Sequence, residues 1–442
     1  MATNTFHSVS LFSNCGAGDI GYARAGFRFD VMAELDARRL EVCLLNHPSA
    51  VGVPGDLRKT WPMVVDEYLE IAEGVPLTLL AACPPCQGMS SARSDRGKER
   101  DPDAGMKDAR NLLVTVISKV TRELKPRVIV VENVQAFLTR QVRHPKTKVP
   151  ISASRWLIDE LAEDYAVFPF LTDLCDYGVP QTRKRTFLTF IRLDEPAIAI
   201  LEERAASPYP IPHHSPEYEG RPVTLREALA AFNLPSLDAH SLETAISRAG
   251  KGLHAVPVWH DRRYDMVAAI PPHAGMGAWE NDACPSCGRV EVGEDDAVCP
   301  QCGGPLLRPV VKKKRGGYRL ITGFRTSTYT RMKSDAPAAA ITTASGHLGS
   351  NNTIHPFENR LLSTLECALL QTLPKCFNWG TALERWGHTN IRRMIGEAVP
   401  PLFTRVHGTV LRAMLEGKRR LQLYPASGKR CVRPAKKLGL ST

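Results

Sequence analysis

The chain has 442 residues, of which 57 are basic and 46 acidic, giving a formal charge of +11 that favours a polyanionic partner. The N-terminal MATNTFHSVSLFSN has no basic segment leading into an apolar core, and no apolar run approaches the ~20 residues of a spanning helix, so neither export nor a membrane is expected. Twelve cysteines in such a chain point to thiols and metal sites rather than disulfides.

In chain order, SVSLF reads as a short apolar strand and NCGAGDIG as a glycine-rich turn. FDVMAELD is a second strand, followed by a helix over Ala37–Asn46. PLTLLAAC is a continuous apolar run that leads into CPPCQGMSSARSDRGKERDP, a C-x-x-C followed by a small, charged stretch. Helical spacing returns over Asn111–Leu124, then come the strands RVIVVENV, AVFPFLTDL and RTFLTFIRL. Apolar strands separated by helices predict a mostly parallel α/β sheet covered on both faces, over residues 1–195. From 196 to 389 proline clusters, glycines and basic residues predict a smaller, loop-rich domain. Helical periodicity reappears over Arg360–Leu373 and Ile391–Leu415, so residues 390–416 are expected to complete the first domain. The basic segment 417–442 reads as a solvated tail, or more sharply as a nucleic-acid contact.

A strand running into NCGAGDIG brings backbone N–H groups toward a ligand, although a glycine turn alone can be just a tight connection. Glu34, at the end of the next strand, is placed to accept from ribose hydroxyls. Asp56, after a third segment, could meet an adenine amine. Together these suit an adenosine-containing cofactor. The C-x-x-C of Cys83 and Cys86 leaves a redox pair, half a metal site or a nucleophile open.

The order PCQG, ENV, QTRKR resembles the DNA (cytosine-5) methyltransferase family over nearly the whole chain outside its middle. Phe12 to Gly18 is similar to the family's cofactor loop, Pro85-Cys86-Gln87-Gly88 to its nucleophile motif and Glu132-Asn133-Val134 to its ENV motif. Gln181 to Arg185 matches Q-x-R-x-R, Asp108 to Leu112 a cofactor segment, Arg360 to Glu366 the R-x-L-T-x-x-E helix, and Ile395 to Pro400 the last motif. The resemblance implies a Rossmann-like S-adenosylmethionine-dependent methyltransferase fold with a smaller, loop-rich target-recognition domain. It implies binding of S-adenosylmethionine by Phe12, Ser13, Cys15, Gly16, Gly18, Glu34, Leu35, Asp56, Leu57, Asn111, Leu112 and Val399. Asn14 and Ala17 stand where the loop usually has glycine; asparagine tolerates positive φ, so the turn is expected to survive. Glu397 replaces the usual asparagine of the last motif, and Cys83 replaces a glycine.

The implied reaction needs a thiolate to add to C6 of cytosine, and a thiol ionises only a unit or two above neutrality (pKa ~8.5). The resemblance assigns Cys86 as that nucleophile, Glu132 to the ring N3, Arg185 to O2 and Arg183 to a phosphate or to support of the site. Cys83 is then a structural neighbour. The target base must leave the duplex stack, at a cost of roughly a few kcal/mol. Ser90–Asp108 has the composition of a loop closing over DNA, with Arg93, Arg96, Lys98 and Arg100 toward phosphates, or of a plain surface loop.

Cys284-x2-Cys287 and Cys299-x2-Cys302 form two matched knuckles, whose spacing predicts a closed structural Zn2+ site of four thiolates within a ribbon over 284–302. The following KKKRGGYRLITGFRTSTYTRMKS suits phosphate contacts with some base reading; a solvated charged hairpin is the plainer expectation. His213, His214, His347 and His355 receive no role. The expectation is therefore sequence-specific methylation of cytosine C5 in double-stranded DNA by a cytoplasmic, nucleoid-associated enzyme, with a cognate restriction endonuclease as possible partner. An RNA cytosine-5 methyltransferase and a non-catalytic zinc-ribbon module are the alternatives.

Overall fold

β-branched and apolar runs build the centre of the first unit. The strands are β1 (Phe6–Leu11), β2 (Phe27–Glu34), β3 (Val51–Pro54), β4 (Leu79–Ala82) and β5 (Val128–Asn133), then β6 (Gln141–Arg143) and β7 (Pro150–Ser152) as a separate hairpin, β8 (Tyr165–Asp173) and β9 (Lys184–Arg192). This computed structural model describes residues 5–85, 109–144, 147–273, 275–290, 292–321, 327–350 and 352–426. The seven-stranded sheet has the order β3-β2-β1-β4-β5-β9-β8, parallel from β3 to β5, with β9 antiparallel to both its neighbours. Every residue of β4 and β5 is buried, which is why they read as unbroken apolar runs rather than alternating ones.

The helices Leu57–Ala72, Val114–Leu124 and Ala153–Leu161 contribute Val64, Tyr68, Ile117, Val120, Trp156 and Leu157 to one core with the strands. The helix Ala17–Arg24 packs against Pro401–Leu415 so closely that a Cβ on Gly21 would lie 1.9 Å from Thr404 Oγ1. Burial of this apolar stripe, at about 25 cal/mol per Å², is the term that holds helix to sheet.

Several helix boundaries differ from the sequence reading. The expected helix Ile391–Leu415 is two, Ala382–Glu397 and Pro401–Leu415, because prolines 400 and 401 cannot continue the first helix while Pro401 suits the first turn of the second. Asn111–Leu124 is a 3-10 turn, Ala109–Leu113, followed by the α-helix Val114–Leu124. Arg360–Leu373 is helical only over Thr364–Leu370, where Ser363 and Glu366 close a capping box. The helices Leu57–Ala72 and Ala153–Leu161 are not anticipated at all.

The chain divides into two compact units. The first runs to Tyr177, takes in Lys184–Glu219 and resumes at Ala398; the second comprises Gly178–Arg183 and Gly220–Glu397. The division therefore falls near 219 rather than 195. The reason is β10 (Ala206–Pro210), whose Tyr209 stacks on Phe170 at 4.1 Å and donates its hydroxyl to Phe168 O at 2.8 Å. The return begins at Ala398 rather than 390, since Ala382–Glu397 belongs to the second unit. The second unit holds its own core around Leu237, Val256, Trp259, Val267, Ile354 and Leu361, and the hairpin of β11 (Val310–Lys312) with β12 (Tyr318–Leu320). Within the expected tail of 417–442, Leu423–Pro425 forms strand β13, which pairs with β10; 427–442 lie outside the described residues.

Candidate active site and thiol cluster

Strand order reverses beside β1, whose neighbours are β2 and β4, and ligands of such sheets bind beyond the carboxyl ends of the strands at that point. The loop leaving β1 turns sharply there. Phe12, Asn14 and Gly16 take φ values of 59°, 50° and 72°, so Asn14 carries the left-handed conformation in place of glycine. Ser13 N–H donates to Ala33 O at 3.0 Å, tying the loop to the end of β2. Gly16 admits no side chain: a Cβ would lie 2.7–2.9 Å from His47 and Cys43. A Cβ on Gly18 would lie 3.1 Å from the Val399 side chain, which brings Val399 onto the start of the Ala17–Arg24 helix.

Glu34 ends β2 almost buried, accepting from Asn14 N–H at 2.9 Å and Asp36 N–H at 3.1 Å. Next to it Leu35 is 70% exposed, an apolar side chain held in solvent beside an anchored carboxylate. That pairing fits a ribose on the carboxylate and a flat base on the leucine. Asp56 caps the helix Leu57–Ala72 and pairs with Arg58, whose hydrogen bond holds its carboxyl below the usual range. Leu57, Cys15 and Asn111 are buried, so the Leu57 and Cys15 side chains serve the core; burial pushes the Cys15 thiol up to about 12. Leu112 packs on the same core, and Phe12 is partly buried against it.

The end of β5 lies two strands from β1. Glu132 is 7% exposed there, and its Oε1 pairs with Arg185 Nε at 2.9 Å. Its Oε2 accepts the Cys83 thiol at 2.8 Å. Asn133 Nδ2 donates to Pro84 O at 2.9 Å, while its Oδ1 accepts from Val134 N–H at 2.9 Å. Strand register explains the meeting of Glu132 and Arg185: Asn133 is opposite Thr186 on β9, and Arg185 is the residue before it. Thus Glu132, Arg185, Cys83 and Pro84 converge. Cys86, Gln87 and Gly88, with Ser90–Asp108 and its Arg93, Arg96, Lys98 and Arg100, lie outside the described residues.

Sequence reasoning gave Cys83 only the part of a structural neighbour and gave Asn133 no part of its own within ENV. The signal for Asn133 was its place in ENV; for Cys83 it was only the glycine it replaces. Arg183 is placed differently from its neighbour. Its guanidinium is buried, donating to Ile341 O at 3.0 Å and Gly396 O at 2.9 Å, so it braces main chain within the second unit. Gln181 does the same through Leu370 O at 2.9 Å and Ile341 N–H at 3.0 Å.

In the second unit the sulfurs of Cys284, Cys287, Cys299 and Cys302 all lie within 4.8 Å of one another, with Cys284–Cys302 and Cys287–Cys299 at 3.6 Å. Tetrahedral zinc with Zn–S of about 2.3 Å needs sulfurs about 3.8 Å apart, so the four thiols fit that ion. The two knuckles repeat one geometry: Gly288 N–H bonds Cys284 O and Gly303 N–H bonds Cys299 O, both glycines at φ 71°. Backbone N–H groups of Cys287 and Cys302 lower the Cys284 and Cys299 thiols, Cys284 to about 6. Of the basic stretch beyond, Arg331 is buried and donates to His355 O, Glu358 O and Val267 O; burial lowers it to about 10 and removes it from any surface role. Residues 322–326 lie outside the described residues.

The sheet is of the doubly wound α/β class, and the sharp loop after β1 beside the buried Glu34 is a place a nucleoside-containing cofactor would fit. The chain matches the C-5 cytosine-specific DNA methylase family over residues 6–411 and belongs to it; its members move a methyl group from S-adenosylmethionine to carbon 5 of cytosine in DNA. It is 28% identical over 409 residues to the Type II methyltransferase M1.HgaI of Avibacterium volantium, covering 89% of this chain and 94% of that one. It is 32% identical over 220 residues to the Type II methyltransferase M.AquIA of a Picosynechococcus strain, covering 49% and 80%. Among solved structures, a prophage-encoded Escherichia coli protein studied as a candidate DNA modification methyltransferase aligns with TM-score 0.54 at 18% identity, over 93% of this chain and 99% of that one. At that identity the likeness concerns the fold alone. Among the described residues no helix is long and apolar enough to cross a membrane.

Proposed function

We propose that this chain methylates C5 of a cytosine within a specific duplex DNA sequence, with Cys86 as nucleophile. The observation that carries the reading is the Glu132–Arg185 pair, bonded to Cys83 three residues ahead of Cys86. In the proposed reaction the Cys86 thiolate forms a bond to C6 of a flipped cytosine and electrons move to C5. Glu132 meets the ring at N3, sharing a proton with it as N3 gains charge, and Arg185 donates to O2; the N3 proton returns to Glu132 when the sulfur leaves. After methyl transfer the C5 proton leaves to a base, the C5–C6 double bond re-forms and Cys86 departs as thiolate.

S-adenosylmethionine, when bound, supplies an electrophilic methyl group. The residues proposed to hold it are the Phe12–Gly18 loop, Glu34 toward the ribose, Leu35 against the base, Asp56, the backbone at Leu57, Asn111–Leu112 and Val399. The exposed Leu35 beside buried Glu34 supports this assignment. Of the two roles open to Arg183, a phosphate contact or support of the site, its buried bonds favour support.

The second unit is proposed to read the target sequence, its four thiolates holding a structural zinc. The likeness to Type II methyltransferases supports a restriction–modification setting, in which a cognate endonuclease cuts the same site when unmethylated and both act in the cytoplasm. Labelled methyl transfer to duplex DNA and to transfer RNA, measured side by side, tests the substrate. Incorporation into DNA at cytosine C5 supports the proposal; incorporation into RNA alone rejects it.

A further inference from the structure

The hairpin β11–β12 stands out in the second unit. Its register is Val310↔Leu320, Val311↔Arg319 and Lys312↔Tyr318, and its turn closes with Lys313 N–H to Gly317 O at 2.9 Å. Gly316 and Gly317 take φ of 88° and 75°, with nothing within 4 Å of where their side chains would be. Residues 312–317 are all exposed. Lys312, Lys313, Lys314, Arg315 and Arg319 thus crowd positive charge onto one short projection, and none has a carboxylate partner among the described residues.

The base of this projection is tied to the thiol cluster. Among the described residues the ribbon's apolar cluster is Cys284, Cys299 and Leu306, with Val292 partly buried, which is too little apolar surface to hold itself without a cross-link. Arg262 joins ribbon to hairpin: Nη2 donates to Leu306 O at 2.6 Å, and the guanidinium lies 5.9 Å over the Tyr318 ring. Buried Arg308, two residues before β11, donates to Asn281 O at 2.7 Å and Gly293 O at 2.5 Å.

We propose that the hairpin Val310–Leu320 is a metal-braced finger that grips duplex DNA, its tip cations on phosphates and its two strands in the major groove. The inference rests on the DNA reading above. A two-stranded ribbon is of a width the major groove accepts, about 12 Å. Cations clustered without partners gain most when they release counterions from a polyanion. The ribbon's task is to fix the finger's direction, so the metal serves DNA affinity and has no part in donor binding.

The test uses the full-length, zinc-loaded protein and its Lys313→Ala/Lys314→Ala/Arg315→Ala variant, with duplex affinity measured across a salt series and S-adenosylmethionine affinity beside it. The account expects duplex affinity to fall at least tenfold and the slope of log affinity against log salt to shrink by about two to three, near 0.9 per lost phosphate contact. Donor affinity should stay within twofold. Removing the ion with a chelator should reproduce the loss of duplex affinity in the wild-type protein, again sparing the donor. An unchanged affinity and slope in the variant, with wild-type protein binding duplex normally, overturns the finger. Wild-type protein that neither binds nor methylates duplex DNA instead overturns the substrate reading itself.

Discussion

Arg185 and Glu132 form a nearly buried ion pair at 2.9 Å, contributed by antiparallel neighbours β9 and β5 at the end where β5 stops. Each side chain holds the other in one orientation before any substrate arrives, and such preorganised charge is usually the largest catalytic term. Glu132→Gln keeps the shape but loses the charge and should lower kcat by about 10²- to 10⁴-fold. Arg185→Ala should do similar damage while leaving the methyl donor bound. Single-turnover methylation with both variants checks this. Rates within threefold of wild type would remove the pair from the reaction.

Cys83 is predicted to be a positioning residue. Its thiol bonds Glu132 Oε2, so Cys83→Ala leaves that oxygen without its sulfur donor. A hydrogen bond worth about 1 kcal/mol translates into a five- to tenfold fall in kcat, with KM for S-adenosylmethionine unchanged. Cys83→Ser should recover most of the rate, because a hydroxyl can donate in the same place. A serine variant as slow as alanine would show that the sulfur only fills space.

Asp19 makes stability depend on pH. It is buried beside the cofactor loop, and burial raises its carboxyl to about 7 against the donated hydrogen bond of Ser10 Oγ at 2.9 Å. The unfolded carboxyl ionises near pH 4, so between about 4 and 7 the native state keeps a proton the unfolded state has lost. That advantage is whole below pH 4 and gone above 7, a loss of at most about 4 kcal/mol. Thermal melts from pH 5 to 8 should therefore decline in the wild type and flatten in Asp19→Asn. Parallel curves for the two proteins would contradict the assignment.

The sequence carried the centre of the sheet well because β4 and β5 are buried on both faces and so had to be apolar throughout. Glu34 was legible because it follows an apolar run at a strand end, whereas Glu132 and Arg185 were legible through the resemblance of ENV and Q-x-R-x-R. Arginines in long-range roles were not legible. Arg308 and Arg331 look like surface charge in the sequence, and only tertiary folding supplies the carbonyl oxygens that bury them. The break at Pro400 was visible in the residues, and helical periodicity on either side masked it.

The central claim concerns the sulfur of Cys86, and duplex DNA carrying 5-fluorocytosine at the target tests it. Fluorine cannot leave as a proton does, so an enzyme that has added to C6 and transferred its methyl group stays bonded to the base. With S-adenosylmethionine present, mass mapping should find the DNA attached to Cys86 in the wild type and no adduct in Cys86→Ala. Folded, DNA-bound wild-type protein that forms no adduct, or one attached through Cys83, would contradict the account.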